Sequence, residues 1–436
     1  MPLRSPLDGP ILKFAVPALA TMAVDPLVSM VDTAFVGRLG TGALAALGVN
    51  VGIFGLAFYV FNFLANGTTP LVAGAVGEGD RERAGRVVVA GLGLAAALGV
   101  LGTVVLLSFD ETFARWMGVE DAFLPETLAY LRARAWAAPA VLLVTAGHGA
   151  YRGHQDTTTP LWIALVVNAV NLALDPLLMF GLGWGVAGAA WATVAAQWIG
   201  AVGFLALLYG RDRERFGLPL EAPRPQYVAE LLGVGSALAV RTFALVFTFT
   251  AATSVATRMG ATVVAAHQVA WQLFLMLAMF VDSFAFAAQS LVADRAGSGA
   301  PREARAMADR LLQWGFVVGC GQGLVLWALS PLWPRIFDLE PAVAAELATV
   351  MAIVAGMQPL AAMVFVGDGI FMGARRFGAL AGAMLFATIP TLGALLWTAE
   401  HGAGLRTVWW CVVGLIALRA VSLSSLYFGR WSILPR

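Results

Sequence analysis

The chain has 436 residues, 60% of them hydrophobic and 12% charged, with a formal net charge of +1. Soluble domains carry about twice that charged fraction, so a soluble globular fold is excluded, and a balance near zero gives no argument for nucleic-acid binding. Two cysteines, Cys320 and Cys411, are too few for a disulfide framework.

Apolar stretches of about 20 residues, each long enough to cross a bilayer as a helix, recur along the whole chain. They predict twelve spans, near residues 11–36, 45–75, 86–108, 127–150, 159–181, 185–209, 228–257, 263–294, 307–330, 343–373, 377–399 and 405–429. The short alternating segments of a membrane barrel are missing, so the expected class is an all-α polytopic membrane protein. The first span is too long and too polar for a cleaved signal peptide. Both cysteines fall in spans and are expected as buried free thiols. With the N-terminus inside, the inner loops hold most of the arginines, among them Arg81, Arg83, Arg86, Arg211, Arg213, Arg215, Arg302, Arg305, Arg310, Arg375 and Arg376. Arg4 and Lys13 precede the first span on that side, and Arg430 and Arg436 follow the last. Only Arg38, Arg115, Arg132, Arg134, Arg258, Arg335 and Arg406 remain outside. Both termini are therefore expected in the cytoplasm.

The chain repeats itself at an offset of 220 residues. "GRLGTGALAALGV" (37–49) lies over "TRMGATVVAAHQV" (257–269), and "LVAGAVGEG" (71–79) over "LVADRAGSG" (291–299). The same offset pairs Pro139, Gly147, Gly149 and Gly153 with Pro359, Gly367, Gly369 and Gly373. Each half holds six spans and enters the membrane in the same direction. Two six-helix lobes, 1–209 and 227–436, are thus expected about a pseudo-two-fold axis along the membrane normal, joined by a cytoplasmic linker at 210–226.

In chain order, the first span places Thr21, Asp25, Ser29 and Asp32 on one helical face, at spacings of four, four and three. The second carries Asn62, Asn66 and Thr69, the fifth Asn168, Asn171 and Asp175, and the sixth Thr193 and Gln197. Four polar stripes in one lobe point to one shared interior site. Pro26 follows Asp25 and Pro176 follows Asp175, and each frees the carbonyl four residues back, Met22 and Leu172. Freed carbonyls beside carboxylates make a site for a proton or a sodium ion in a helix able to bend. The second lobe has its own line, Gln268, Asp282 and Gln289, and Arg241 in the seventh span wants Asp282 or Asp368 as partner. Across the repeat Asp32 maps onto Ala252, Asp175 onto Leu395, Asp282 onto Asn62, Asp368 onto His148 and Arg241 onto Thr21. Each lobe thus has charges the other lacks. A charge at mid-span costs roughly 2.5–3.5 kcal/mol on insertion scales, so it faces a cavity or a partner. Asn and Thr in spans serve equally as interhelical glue.

"GLGLAA" (91–96) sits inside a span with no preceding strand and reads as close-packing glycine, as do Gly315, Gly319 and Gly323. His148, His154, His267 and His401 are scattered, and no Walker loop, metal-ligand cluster or nucleophile elbow occurs. The chain is therefore expected to be no enzyme and to need no cofactor beyond a coupling ion. Transport without a nucleotide site runs on an ion gradient.

"DPLVSMVDTAFVGRLG" (25–40), "NAVNLALDPLLMFG" (168–181) and "GDGIFMGA" (367–374), with the two six-helix halves, resemble the multidrug and toxic compound extrusion (MATE) transporters, the DinF-like branch in particular. The resemblance covers essentially the whole chain. It implies a V-shaped twelve-helix antiporter exporting organic cations or amphipaths in exchange for H⁺ or Na⁺. Carried over residue by residue, it makes Asp32, Asn171, Asp175 and Thr193 the ion-coupling set and bends the first helix at Pro26. It also flags Asp368, while the acidic sodium site of a second lobe in the NorM-like branch finds no match.

The resulting expectation is a proton- or sodium-coupled multidrug exporter. Asp32 and Asp175 bind H⁺, or Na⁺ together with Asn171; Thr193 completes the site, with Pro26 and Pro176 as hinges. Asp25, Asn62, Asn168, Gln197, Arg241, Asp282 and Asp368 are further candidates for ion or substrate contact. Expected partners are small organic or amphipathic molecules and the lipid bilayer, with no nucleic acid and the chain acting as a monomer. The expected location is a bacterial inner membrane. The alternative is a flippase of lipid-linked precursors with related two-lobed architecture, which a strongly basic cavity would favour.

Overall fold

The computed structural model describes residues 5–429, the side chains of Leu56 and Tyr59 apart. Arg4, Arg430 and Arg436, counted above toward the inner charge, lie outside the described residues. Seventeen α-helices follow in order: α1 Asp8–Gly37, α2 Thr41–Tyr59, α3 Phe63–Gly77, α4 Arg81–Ser108, α5 Asp110–Trp116, α6 Leu124–Ala135, α7 Ala138–Gly153, α8 Thr158–Pro176, α9 Gly185–Ala206, α10 Arg213–Phe216, α11 Pro225–Arg258, α12 Ala261–Gly297, α13 Pro301–Ala328, α14 Trp333–Ile336, α15 Pro341–Gly373, α16 Phe377–Glu400 and α17 Leu405–Phe428. No strand occurs among the described residues, and the chain is an all-α polytopic membrane protein. Among the described residues ten helices are long and apolar enough to cross a bilayer, eleven if the bent pair Thr41–Gly55 and Val60–Gly77 is one span.

Two of the predicted spans are interrupted. The second breaks at a 3-10 turn, Val60–Asn62, with a bend of 46°. The fourth breaks at Trp136 and Ala137, between α6 and α7. Two others end in π turns, Leu177–Gly181 after α8 and Leu207–Arg211 after α9. The first of these directly follows Pro176, and the Leu182 N–H closes it on Leu177 O at 2.9 Å. By contrast α1 runs unbroken through Pro17 and Pro26.

The packing divides the chain into two compact units. The first is Val16–Gly235; the second runs from Ser236 on and includes the residues up to Ala15. The division falls inside α1 and α11. The stretch 210–226 packs onto the first unit: a Cβ on Gly85 would stand 1.9 Å from Gly217 O, and Tyr151 donates to Asp212 at 2.8 Å.

The sequence repeat reappears in the contacts of each unit. In the first, Gly149 of α7 meets Ala65 of α3 and Gly99 of α4 meets Pro139, a Cβ on Gly99 standing 2.3 Å from Pro139 Cα. In the second, Gly369 meets Ala285 and Gly319 meets Pro359, so all four partners sit 220 residues on. Gly40 and Gly260 open α2 and α12 with φ of 118° and 114°, a backbone region that only glycine enters without strain. Small residues at these crossings let backbones touch where lipid offers no hydrophobic drive. The expected close-packing role of Gly315, Gly319 and Gly323 holds: Cβ atoms there would lie 3.0 Å from Val366, 2.7 Å from Gln358 O and 2.6 Å from Ala355 O. The expectation of two buried thiols holds only for Cys411. Cys320 is free but exposed, on the outward face of α13.

Candidate functional site

In the first unit, α1 and α8 present their polar faces to one another. Asn168 Nδ2 donates to Asp25 Oδ1 at 2.8 Å and to Ala164 O at 2.9 Å. Two helical turns further along, the side chains of Asp32 and Asp175 are neighbours. Asp175 is only 1% exposed. Neither of its oxygens has a donor, nor does Asp32 Oδ1, and Asn171 Nδ2, one turn away on α8, is buried without an acceptor. Above the acid pair lies an apolar cluster that includes Val36, Tyr130, Met179, Val186 and Ala189. Two neighbouring carboxylates repel one another in such surroundings, and a shared proton or an intervening cation relieves that repulsion.

The other sequence candidates are less concentrated. Thr193 spends its hydroxyl on its own helix, donating to Ala189 O at 3.0 Å, and Gln197 follows one turn on, partly buried. Asn62 is exposed at the 3-10 break, whereas Thr69 is buried and donates to Gly149 O at 3.4 Å. Two residues were not anticipated. Tyr130 and Arg134 of α6 stand beside the acid pair, with the Arg134 guanidinium 5.4 Å from the Phe54 ring centre.

The second unit holds a separate charge cluster. Arg241 of α11 finds Asp368 of α15, which settles its partner, and Arg419 of α17 donates to the same oxygen, Asp368 Oδ2. Asp282 of α12 stands close to both Arg241 and Asp368. Asp368 and Arg419 are almost fully buried, and Asp368 Oδ1 and Arg419 Nη1 have no partner. Of the remaining polar line, Gln289 is buried and Gln268 exposed. His267 is buried, with Nε2 3.1 Å from Thr253 Oγ1. Among the described residues no three His, Cys, Asp or Glu side chains gather as a metal site.

Comparison with known proteins follows this duplication. The MatE family model matches residues 17–177 and 237–395. Protein DETOXIFICATION 44, chloroplastic, of Arabidopsis thaliana is 34% identical, covering 97% of this chain and 81% of its own. DNA damage-inducible protein F of Escherichia coli (strain K12) is 26% identical over 97% of this chain and 93% of its own, in keeping with the DinF-like resemblance. A solved structure of MATE in the bent conformation superposes with a TM-score of 0.89 at 22% identity, covering 97% of this chain and 95% of that one. A MOP superfamily transporter from Pyrococcus furiosus gives 0.88 at 22%, with 97% of each chain covered. These two likenesses concern the fold. With one family model matched in both halves and a relative at 34% identity over 97% of this chain, the chain belongs to the MatE family of membrane transporters.

Proposed function

We propose that this chain exports organic cations or amphipathic compounds from the cytoplasm by alternating access, in exchange for H⁺ and, failing that, Na⁺. The observation that carries the reading is the pairing of half-buried Asp32 with buried Asp175, whose three donor-less oxygens leave room for one shared proton. When the proton is present the carboxyls stay together. When it leaves, two like charges face each other in apolar surroundings, and α1 and α8 are driven apart or a cationic substrate takes the proton's place. Asn171 supports the ionised form, since its unpartnered amide can donate to Asp175. Thr193 and the carbonyls freed by Pro26 and Pro176 offer the extra oxygens that Na⁺ would need. Pro26 leaves Met22 O without its helical donor, so α1 can bend beside Asp25. One positive charge moving inward at 100 mV supplies about 2.3 kcal/mol.

The arginine count supports cytoplasmic termini, and the bacterial relatives support a bacterial inner membrane. The acidic face in the first unit speaks against the lipid-linked flippase, and action as a monomer requires no residue from a second copy. The test is efflux of a fluorescent organic cation from proteoliposomes under a pH gradient and a sodium gradient imposed separately. Asp32→Asn and Asp175→Asn should each lower ion-driven efflux by roughly 5- to 150-fold, the range of coupling energies of 1–3 kcal/mol. Efflux at the wild-type rate in both variants would refute the ion site.

A further inference from the structure

Helix α1 is shared between the two compact units. Its first two turns, up to Ala15, pack in the second unit, and the shaft from Val16 on, with Asp25 and Asp32, packs in the first. Pro17 stands at this division. It lacks the N–H that would bond to Lys13 O, so the helical ladder is one bond short between foot and shaft, as it is again at Pro26 within the shaft.

The foot is held firmly. Asp8 accepts from Arg310 Nε at 2.7 Å and Nη2 at 2.8 Å, from Trp314 Nε1 at 2.8 Å and from the Ser5 backbone N–H at 2.8 Å. Arg310 Nη1 in turn donates to Gln313 Oε1 at 2.8 Å. Above this clamp Ile11, Phe14 and Ala15 are buried. A two-pronged arginine–carboxylate pair sets orientation as well as distance, so it opposes rotation and sliding of the foot on α13.

Helix α11 repeats half of the arrangement. Its residues up to Gly235 pack in the first unit, where Arg83 Nη2 donates to Glu230 Oε1 at 3.3 Å. It has no proline after its first residue, and Ala252 stands where α1 has Asp32. The breakable ladder and the acids thus occur together, in the helix whose foot the Asp8–Arg310 pair holds.

We propose that Asp8 and Arg310 are positioning residues of the ion-coupled step. They anchor the foot of α1 to α13, so that a change of charge at Asp32 and Asp175 bends the shaft about Pro17 instead of displacing the helix as a whole. The inference rests on the ion site proposed above, whose other charged or titratable neighbours are Tyr130 and Arg134 of α6.

Hydrogen exchange of the full chain in nanodiscs tests it without a transported substrate. Amides from Phe14 to Met22 are followed at pH 8 and pH 5.5, corrected for intrinsic rates, in wild type, Asp8→Asn, Asp8→Glu, Asp32→Asn and the charge-reversed pair Asp8→Arg with Arg310→Asp. In wild type the two pH values should give different protection, confined to the stretch around Pro17. Asp8→Asn should exchange about tenfold faster there and lose the pH difference, while Asp8→Glu or the reversed pair recovers both. Wild-type protection and pH response in Asp8→Asn would overturn the clamp, as would equal losses in Asp8→Asn, Asp8→Glu and the reversed pair. A pH response that survives in Asp32→Asn would overturn the ion site alone, because the clamp is judged by Asp8→Asn against wild type at each pH. In efflux the clamp predicts a lower maximal rate in Asp8→Asn with half-saturation unchanged.

Discussion

At the level of single residues, the cluster around Asp368 is the most costly to disturb. Two guanidiniums share one of its oxygens within the second unit, and Arg419 is 1% exposed. Removing one partner of a buried ion pair leaves the other uncompensated, at a cost of about 3–5 kcal/mol. Asp368→Asn should therefore lower the thermal midpoint of the detergent-purified protein markedly. An unchanged melting curve would mean that the arginines are neutralised by something other than Asp368. Half of this cluster was legible. Arg241 stands out as a charge in an apolar span, and its partner follows from the few acids opposite. Arg419 gives the same signal in the last span and was overlooked. Arg134 gives none, because it lies near the predicted outer end of the fourth span, where arginines are ordinary. Only the fold turns it toward Asp32. The helical stripes that selected Asp25, Asp32, Asn168, Asn171 and Asp175 worked because spacing on a straight helix fixes direction. Thr193 lies on such a stripe too, yet its hydroxyl bonds to its own backbone, a choice that spacing does not encode.

Among the elements, the crossings of α12 with α15 and of α3 with α7 depend on absent side chains. A Cβ on Gly369 would sit 2.2 Å from Ala285 O, whereas one on Gly367 would meet only Leu423 Cδ1 at 3.6 Å. Gly369→Ala should cost about 1–3 kcal/mol through overpacking, and Gly367→Ala should be neutral or slightly stabilising through helix propensity. Comparing the melting midpoints of the two, set side by side on one helix, isolates the contact. The repeat made these glycines visible in the sequence. Helix breaks were harder to see: hydropathy runs straight through Val60–Asn62 and Trp136, because a bent apolar segment is as apolar as a straight one. The stretch 210–226, expected as the cytoplasmic linker, packs locally in a way its polar composition does not announce. The His154 ring stacks on Phe216 at 3.6 Å, and burial pushes His154 down to about 4. Burial would raise Asp212, but hydrogen bonds from Arg211 and Tyr151 outweigh it and hold the carboxyl below its usual range. Both effects have the same sign. As pH falls from about 6.5 toward 4 the unfolded chain protonates its histidine first, and lower still the Asp212 contribution fades, so stability declines throughout. With partial solvent access the histidine share is about 1–2 kcal/mol. Thermal melting between pH 7 and 4 should therefore be flatter in His154→Phe than in wild type, and identical slopes would remove His154 from the account.

For the molecule as a whole, the sequence halves and the compact units are not the same objects. The foot of α1 packs in the unit built mostly from the second half, and the foot of α11 in the unit built from the first. Leu231 and Val234 of α11 are buried. They fill the space left by glycine, where a Cβ on Gly67 would stand 3.1 Å from Val234 and one on Gly91 3.9 Å from Leu231. A half chain ending in the linker would keep Gly67 and Gly91 but lose the side chains that cover them, leaving a void with no contact on one side. The other half would keep Arg310 and Trp314 but lose Asp8, stranding a partly buried guanidinium. Residues 1–220 or 221–436 expressed alone should therefore be poorly stable. Co-expressed, the two should associate and co-purify through one affinity tag, because each supplies the foot that the other lacks. Leu231→Asp in the second half and Asp8→Asn in the first should each weaken that capture, and together more than either alone. A monodisperse first half with wild-type thermal stability would show instead that the exchanged feet are dispensable, and the coupling assigned to α1 would have to be carried by its shaft alone.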